Sequence, residues 1–300
     1  MDRPLTTADV PPRFLQAAFL VGHVPQRALA SDPRVSYALY VPPTEYPTTS
    51  SSKKLALLVY VHGTRRNISA IHSLAGPVGD STPCAILAPL FPSNLDGPND
   101  LGSYKLLAGS KTLRADLALL SILDEVAYCW PGIETTKIFL MGFSGGGQFT
   151  HRFLYLYPER LAAVSVGAPG QVTMLDERDN WPRGIANVSE LFGGRVVRRD
   201  LIRQVRIQLV VGEADVGVHG GQEFSDWVRE MKHGKKDESR AQGRLDMLKS
   251  LWMMWEHEDG ILAQFHVVPA VGHSAHGVQK DVLEFLRPLM KGESLLSLDG

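Results

Sequence analysis

A serine stands at the centre of the glycine-rich pentapeptide Gly142–Gly146 (GFSGG). The apolar run Lys137–Phe143 (KIFLMGF) leads into it, and an amphipathic run follows it. A sharp turn from a buried strand into a helix would hold Ser144 in a strained backbone conformation, with its hydroxyl exposed above the edge of a sheet. Side chains two residues to either side would collide in such a turn, which explains Gly142 and Gly146. The pattern predicts that Ser144 is a nucleophile for acyl transfer.

A serine nucleophile needs a general base, and the base needs an acid that orients it. Asp215 follows the apolar run Val205–Gly212, and His273 follows the last apolar run of the chain. Hydrolases that carry such a serine turn supply the partners in the order serine, acid, histidine. We expect His273 to accept the proton of Ser144, while Asp215 holds the other ring nitrogen and stabilises the imidazolium.

Four other residues compete for these roles: Glu213, Asp176, Asp179 and His276. Glu213 lies nearer to its strand than Asp215, so its side chain is expected to point elsewhere. His273 directly follows a glycine after the strand, which favours it over His276. His151, in the helix after the serine, is interpreted as a packed or capping residue.

The tetrahedral intermediate of acyl transfer needs hydrogen-bond donors for its oxyanion. The predicted strand Leu55–His62 ends in a turn whose glycine, Gly63, would let the backbone approach the nucleophile. We assign the donors to the backbone N–H groups of Thr64 and Gly145. His62 itself is interpreted as an orienting or structural residue.

Phosphate binding and metal catalysis find little support in the sequence. The segment Ala108–Thr112 (AGSKT) has the ending of a phosphate-binding loop. However, no glycine stands at the earlier position that this motif requires. His273 and His276 have no evident third partner, and the motifs H-E-x-x-H and C-x-x-C are absent. We therefore expect neither a metal nor an organic cofactor.

The elements that must position these residues alternate between short apolar runs and longer amphipathic ones. The predicted strands are Val35–Val41, Leu55–His62, Cys84–Leu90, Lys137–Phe143, Ala162–Gly167, Val205–Gly212 and Gln264–Pro269. The predicted helices are Thr112–Tyr128, Gln148–Tyr157, Arg244–His257 and Lys280–Lys291. This alternation is typical of an α/β protein with a mostly parallel central sheet flanked by helices.

The charge balance excludes a dedicated nucleic-acid binder, because 31 Lys and Arg residues face 32 Asp and Glu residues. No apolar run approaches the ~18 residues of a membrane span. The mixed-charge run Lys232–Arg240 is predicted to be a solvated loop.

Two cysteines, Cys84 and Cys129, are too few for a disulfide framework. Both lie in apolar segments, so we expect reduced thiols and a cytoplasmic location. The apolar run Phe14–Val21 is a weak candidate for a secretion signal, because Gln16 interrupts it and acidic residues precede it.

One domain over residues 1–300 accounts for this pattern, since no repeat or sharp boundary divides the chain. Within it we expect an N-terminal arm over residues 1–30 and a partial lid formed by the insertion 171–204. Aromatic residues near the catalytic edge are candidates for substrate binding, with core packing as the alternative for each: Phe91, Tyr104 and Trp181. The run Leu245–Trp255 is interpreted as a core helix, with a homodimer face as the alternative.

These residues resemble the α/β-hydrolase superfamily and, more narrowly, its compact serine esterases, which include polyhydroxyalkanoate depolymerase-like and feruloyl esterase-like proteins. The matching segments lie between Val35 and Pro288: Tyr60–Thr64, Ala88–Pro92, Gly142–Gly147, His151–Phe153, Tyr157–Arg160, Val211–Asp215 and Gly272-His273. The resemblance implies an α/β-hydrolase fold with small lid-like insertions and no cofactor.

The activity implied by this resemblance is hydrolysis of a small ester, thioester or lactone through an acyl-enzyme. Polymer degradation is not expected, because the paired cysteines and added binding module of secreted depolymerases are missing. The alternative is a non-hydrolytic member of the superfamily that binds a ligand or assists C–C cleavage or cyclisation. No nucleic acid is expected among the partners.

Overall fold

The structure, a computed structural model, describes residues 4–47, 53–75, 78, 81–97, 100, 102–216 and 243–292. These residues form an eight-stranded sheet with the strand order β1-β2-β4-β3-β5-β6-β7-β8. The strands are β1 (Gly22–Leu29), β2 (Asp32–Val41), β3 (Ala56–Val61), β4 (Cys84–Leu90), β5 (Ile138–Phe143), β6 (Leu161–Gly167), β7 (Arg206–Gly212) and β8 (Gln264–Val268). Strand β2 pairs antiparallel with β1 and β4, and the other pairings are parallel.

Helices lie in the connections between these strands. They are α1 (Ala70–Leu74), α2 (Ala115–Cys129), α3 (Gly145–Leu156), α4 (Val188–Leu191), α5 (Arg199–Ile202), α6 (Arg244–His257) and α7 (Ala275–Lys291). Within the described ranges, no helix is both long and apolar enough to cross a bilayer. The run Lys232–Arg240 lies outside the described residues.

The core forms on the central strands, because a parallel strand that is covered on both faces must be apolar throughout. Every residue of β5 and every residue of α3 is buried. Cys84 and Cys129 are buried free thiols, and burial raises the pKa of Cys84 to about 12. The core prediction for the run Leu245–Trp255 is confirmed at Leu248, Leu251 and Trp255, which are fully buried.

The predicted arm over residues 1–30 is corrected by the structure, because strand β1 lies within it. Only Val24 and Leu29 of this strand are buried, so its sequence lacks the apolar pattern of the inner strands. The predicted helix Lys280–Lys291 begins five residues earlier, at Ala275. The Ser274 side chain caps this start by accepting a hydrogen bond from the Gly277 N–H at 3.0 Å.

The insertion 171–204 contains the two short helices α4 and α5. Its buried residues include Val188, Phe192 and Ile202, which fix much of the segment against the body of the protein. A lid function for this insertion stays a prediction, as do the single domain, the homodimer and the cytoplasmic location.

Candidate active site

Ser144 occupies the turn between β5 and α3. Its backbone angles are φ 57° and ψ −111°, a conformation that costs a non-glycine residue ~1–3 kcal/mol and persists only where neighbours impose it. The Ser144 N–H donates to the Gly167 carbonyl at 2.8 Å, which ties the turn to the end of β6. The predicted strained turn from strand to helix is therefore present at this residue.

Glycines let α3 pack directly on the strands beneath it. A Cβ on Gly146 would collide with the Val61 carbonyl oxygen of β3, and one on Gly147 would collide with the Gly167 carbonyl oxygen of β6. A Cβ on Gly142 would lie 2.5 Å from the Gly146 carbonyl carbon. This close approach brings the N-terminal end of α3 against the carboxyl ends of β3, β5 and β6.

His273 and Asp215 meet at the ends of β8 and β7. The Nδ1–H of His273 donates to Oδ2 of Asp215 at 2.7 Å, and Asp215 is fully buried. The two loops touch, because the Ala214 N–H donates to the Val271 carbonyl at 2.9 Å. The His273 ring lies against Phe143, with the ring centroids 4.8 Å apart, and so beside the residue that precedes Ser144. Among the described residues, no hydrogen bond joins the ring to the Ser144 hydroxyl.

The competing acids lie in other contacts. Glu213 accepts a hydrogen bond from the Ala270 N–H at 3.0 Å. Asp176 pairs with Arg178 at 2.6 Å, and Asp179 lies 3.7 Å from an Arg183 nitrogen. The structure thus brings Asp215 to His273. His276, three residues further on, is exposed.

The two proposed oxyanion donors converge beside the serine. A Cβ placed on Gly145 would lie 3.1 Å from the Thr64 backbone nitrogen. The first N–H groups of a helix have no partner within the helix, which leaves the Gly145 N–H available to an oxyanion. Gly63 needs no special freedom here, because a Cβ on it would make an ordinary 3.6 Å contact with the Phe143 carbonyl oxygen.

His62 fixes the loop after β3 from the side of the core. Its Nε2 accepts a hydrogen bond from the Phe91 N–H at 3.1 Å, so its Nδ1–H donates to the Gly63 carbonyl at 2.8 Å. Tyr104 donates from its hydroxyl to the His62 carbonyl at 3.0 Å. Burial lowers the pKa of His62 to about 4, which keeps this ring neutral and structural.

His151, on α3, also accepts one backbone hydrogen bond and donates another. Its Nε2 accepts from the Thr173 N–H at 2.9 Å, and its Nδ1–H donates to the Gly147 carbonyl at 2.9 Å. Burial lowers its pKa to about 3. The ring connects the start of α3 to the insertion 171–204 and is not a base.

Two of the three predicted substrate-binding residues are corrected by their burial. Phe91 is 0% exposed and Tyr104 is 2% exposed. Their rings stack with centroids 5.6 Å apart, so they support the loop after β3 from the core and do not line an exposed surface. Trp181 is partly exposed, and its Nε1–H donates to the Leu106 carbonyl at 2.8 Å. Its substrate role stays a prediction.

Sequence reasoning assigned no role to three cationic residues near the site: Lys105, Arg152 and Arg244. Arg244, the first residue of α6, places Nη1 at 3.6 Å from Oδ1 of Asp215. Lys105 places Cε at 2.9 Å from the position of a Cβ on Gly145. Arg152 lies in the matching segment His151–Phe153, but Lys105 and Arg244 lie in no motif, and only the fold brings them close to Ser144.

A separate cavity of about 320 Å³ lies behind Phe143, between α1 and α7. Its lining includes Tyr60, Met141, Val278 and Val282. None of the three predicted catalytic side chains lines it. Phe143 borders this cavity, and its ring also contacts His273.

The strand order, the turn at the end of β5 and the histidine–acid pair after β7 and β8 together define the class: this chain has the α/β-hydrolase fold. No protein-family model and no curated protein sequence matches the chain. The fold likeness therefore comes from solved structures.

Three of these similar structures have TM-scores between 0.55 and 0.63. Poly(aspartic acid) hydrolase-1 from Sphingomonas sp. KT-1 has a TM-score of 0.62 and 20% identity, covering 83% of this chain and 92% of that one. A poly(3-hydroxybutyrate) depolymerase from Bordetella parapertussis has a TM-score of 0.63 and 17% identity, covering 98% and 96%. A ferulic acid esterase has a TM-score of 0.55 and 15% identity, covering 87% and 92%. The resemblance stated from the sequence is confirmed at the level of the fold.

Proposed function

We propose that this protein is a serine hydrolase that cleaves a small ester, thioester or lactone through an acyl-enzyme. One observation carries the proposal: a strained serine, a hydrogen-bonded histidine–acid pair and two backbone donors gather at one edge of the sheet. The names of the similar structures, which are hydrolases and esterases, support the same reaction class. Their substrates differ, so the fold does not select the acyl group or the leaving group.

Acylation begins when Oγ of Ser144 attacks the carbonyl carbon of the substrate. Nε2 of His273 takes the hydroxyl proton, and Asp215 stabilises the imidazolium through its contact with Nδ1. The N–H groups of Thr64 and Gly145 donate to the oxyanion. As the intermediate collapses, His273 gives its proton to the leaving alcohol or thiol, and the acyl group stays on Ser144.

Deacylation repeats these steps with water. Nε2 of His273 takes a proton from the water that attacks the acyl-enzyme, and the same two N–H groups hold the second oxyanion. The proton then returns to Oγ of Ser144, which leaves as the alcohol, and the carboxylic acid is released. The cycle uses only side chains and backbone groups of this chain.

The proposal is tested with Ser144→Ala and an activated short-chain ester such as 4-nitrophenyl butyrate. We expect kcat to fall by about 10⁴- to 10⁶-fold, together with loss of labelling by a fluorophosphonate. Ser189→Ala is the matched control, because Ser189 is an exposed serine of α4. If Ser144→Ala hydrolyses the ester at the wild-type rate, Ser144 is not the nucleophile. Ligand binding without turnover, unaffected by Ser144→Ala, would favour the non-hydrolytic alternative.

A further inference from the structure

The cavity between α1 and α7 lies on the central strands of the sheet. Its floor includes one row of the sheet register, in which Tyr60 of β3 pairs with Met141 of β5, and Met141 pairs with Ser165 of β6. On this face α1 packs on β2 and β4, whereas α7 packs on β5, β6 and β7. The two helices therefore leave a gap of about 320 Å³ over the middle of the sheet.

The strand residues that face this gap keep some exposure. Met141 and Phe143 are each 8% exposed, and Tyr60 is partly exposed. Their neighbours Val61 and Leu140 are 0% exposed, and successive side chains of a strand point to opposite faces. Central strands of a parallel sheet are normally covered on both faces. Apolar surface at the centre of this sheet is therefore accessible to a molecule that enters the cavity.

Tyr60 brings a hydroxyl group to this apolar floor. Burial raises the pKa of this hydroxyl, yet it makes no hydrogen bond within the described part of the chain. Buried polar groups normally have a hydrogen-bond partner. The neighbouring Ser165 already donates its hydroxyl proton to Oε1 of Gln208 at 2.8 Å. The Tyr60 hydroxyl, which can both donate and accept, thus remains to be satisfied by a molecule in the cavity.

The lining selects against charge. Among the described residues that line the cavity there is no Lys, Arg, Asp or Glu, and the imidazole of His276 is exposed. The walls include Leu74 from α1 and Val278 and Val282 from α7. A charged molecule would lose its hydration here without gaining an opposite charge. The cavity volume lies in the range of about 300–1,000 Å³ that is usual for pockets that bind small molecules.

We propose that this cavity binds a small, uncharged and mostly apolar molecule whose alcohol, phenol or ketone oxygen forms a hydrogen bond with the Tyr60 hydroxyl. None of Ser144, His273 and Asp215 lines the cavity, so the site is separate from the proposed catalytic one and does not depend on it. Phe143 borders the cavity, and its ring contacts His273. A molecule bound here therefore lies against a residue that touches the proposed base.

Three naphthalenes of similar shape test this site by equilibrium dialysis. The first, 2-naphthol, is uncharged at pH 7 and carries one hydroxyl group. The second, 2-methylnaphthalene, lacks the oxygen and should bind about 2- to 10-fold more weakly, because one hydrogen bond is lost. The third, 2-naphthoate, is charged and should bind about 30-fold more weakly or worse. We expect one molecule of 2-naphthol to bind per chain.

Two variants locate the bound molecule. Tyr60→Phe keeps the ring and removes the hydroxyl, so 2-naphthol should bind about 2- to 10-fold more weakly while 2-methylnaphthalene binds as before. Val282→Phe fills the cavity from α7 and should abolish the binding of both compounds. Tyr128→Phe and Val196→Phe make the same changes at exposed positions and should bind both compounds like wild type.

Three results would overturn the inference. If neither uncharged compound binds, the cavity holds only water. If binding is unchanged in both Tyr60→Phe and Val282→Phe, or is lost in Ser144→Ala, the compound binds elsewhere. If 2-naphthoate binds as tightly as 2-naphthol, the site does not select an uncharged molecule. Tyr60→Phe preserves the packing of the sheet, so it decides the question even if Val282→Phe does not fold.

Discussion

Asp215 fixes the orientation and the tautomer of the His273 ring. It is fully buried, its Oδ2 accepts the Nδ1–H of His273, and its Oδ1 faces Arg244. A buried carboxylate with two such neighbours is stabilised by charge-assisted contacts on both oxygens. The ring is therefore held in the tautomer that carries its hydrogen on Nδ1, and in this tautomer Nε2 is the nitrogen that can accept a proton.

Replacing this acid should break catalysis without removing the nucleophile. Asp215→Asn places an amide against Nδ1 and favours the ring tautomer in which Nε2 carries the hydrogen and cannot accept the Ser144 proton. We expect kcat on an activated ester to fall by about 10⁴-fold. Glu213→Gln is the matched control from the same loop and should keep the wild-type kcat. A larger loss in Glu213→Gln than in Asp215→Asn would contradict this assignment of the acid.

Sequence reasoning selects Asp215 and His273 for a physical reason. Both follow apolar runs, and the carboxyl ends of parallel strands reach the same edge of a sheet. Lys105 and Arg244 carry no such positional signal. Their nearness to Ser144 depends on how a turn and a distant helix pack against α3, which no local pattern encodes. The same packing buries Phe91 and Tyr104, whose aromatic character alone indicated a substrate surface.

At the scale of single elements, the turn between β5 and α3 depends on close contact between backbones. Gly146→Ala would place a Cβ well under 3.0 Å from the Val61 carbonyl oxygen, and neither backbone can move without disturbing the sheet. We expect the free energy of unfolding in urea to fall by about 3 kcal/mol or more.

Gly63→Ala is the matched control for this prediction, since its Cβ would make only an ordinary contact. It should purify and unfold like wild type. If Gly146→Ala is as stable as Gly63→Ala, then α3 does not pack on β3 as closely as described.

The boundaries of the elements show which local signals are strong. Strand β4 and helix α6 begin and end where the sequence predicts, because an apolar run and an amphipathic run each have clear limits there. Strand β1 is missed, since an edge strand with one partner buries few side chains. The short helices α1, α4 and α5 are missed because they span only four or five residues. Their stability comes from tertiary contacts rather than from helix propensity.

At the scale of the whole molecule, the loops of the proposed site all begin at the carboxyl ends of parallel strands. They follow β3, β5, β7 and β8, while the antiparallel strands β1 and β2 extend the sheet on one side. Alternating apolar and amphipathic runs make this arrangement predictable from the sequence. Two neutral histidines fix neighbouring segments: His62 holds the loop after β3, and His151 joins α3 to Thr173 in the segment after β6.

These two histidines should make stability depend on pH in a defined window. Burial lowers the pKa of His62 to about 4 and that of His151 to about 3, whereas both rings titrate near ~6.5 when unfolded. Below pH ~6.5 the unfolded chain therefore binds protons that the folded protein does not, and stability falls as the pH falls. We expect a loss of up to ~1.4 kcal/mol per pH unit for each ring, measured by urea unfolding.

The range from pH 6.5 to pH 5 isolates this effect, because exposed carboxylates titrate mostly below it. His62→Gln retains a donor and an acceptor without an ionisable ring, so it should lower the slope of unfolding free energy against pH by about half. His276→Gln removes an exposed histidine and should leave the slope at the wild-type value. An unfolding free energy that stays constant from pH 6.5 to pH 5 would contradict this prediction. It would mean that both rings can be protonated in the folded protein. The hydrogen bonds of His62 and His151 would then not hold their segments as described.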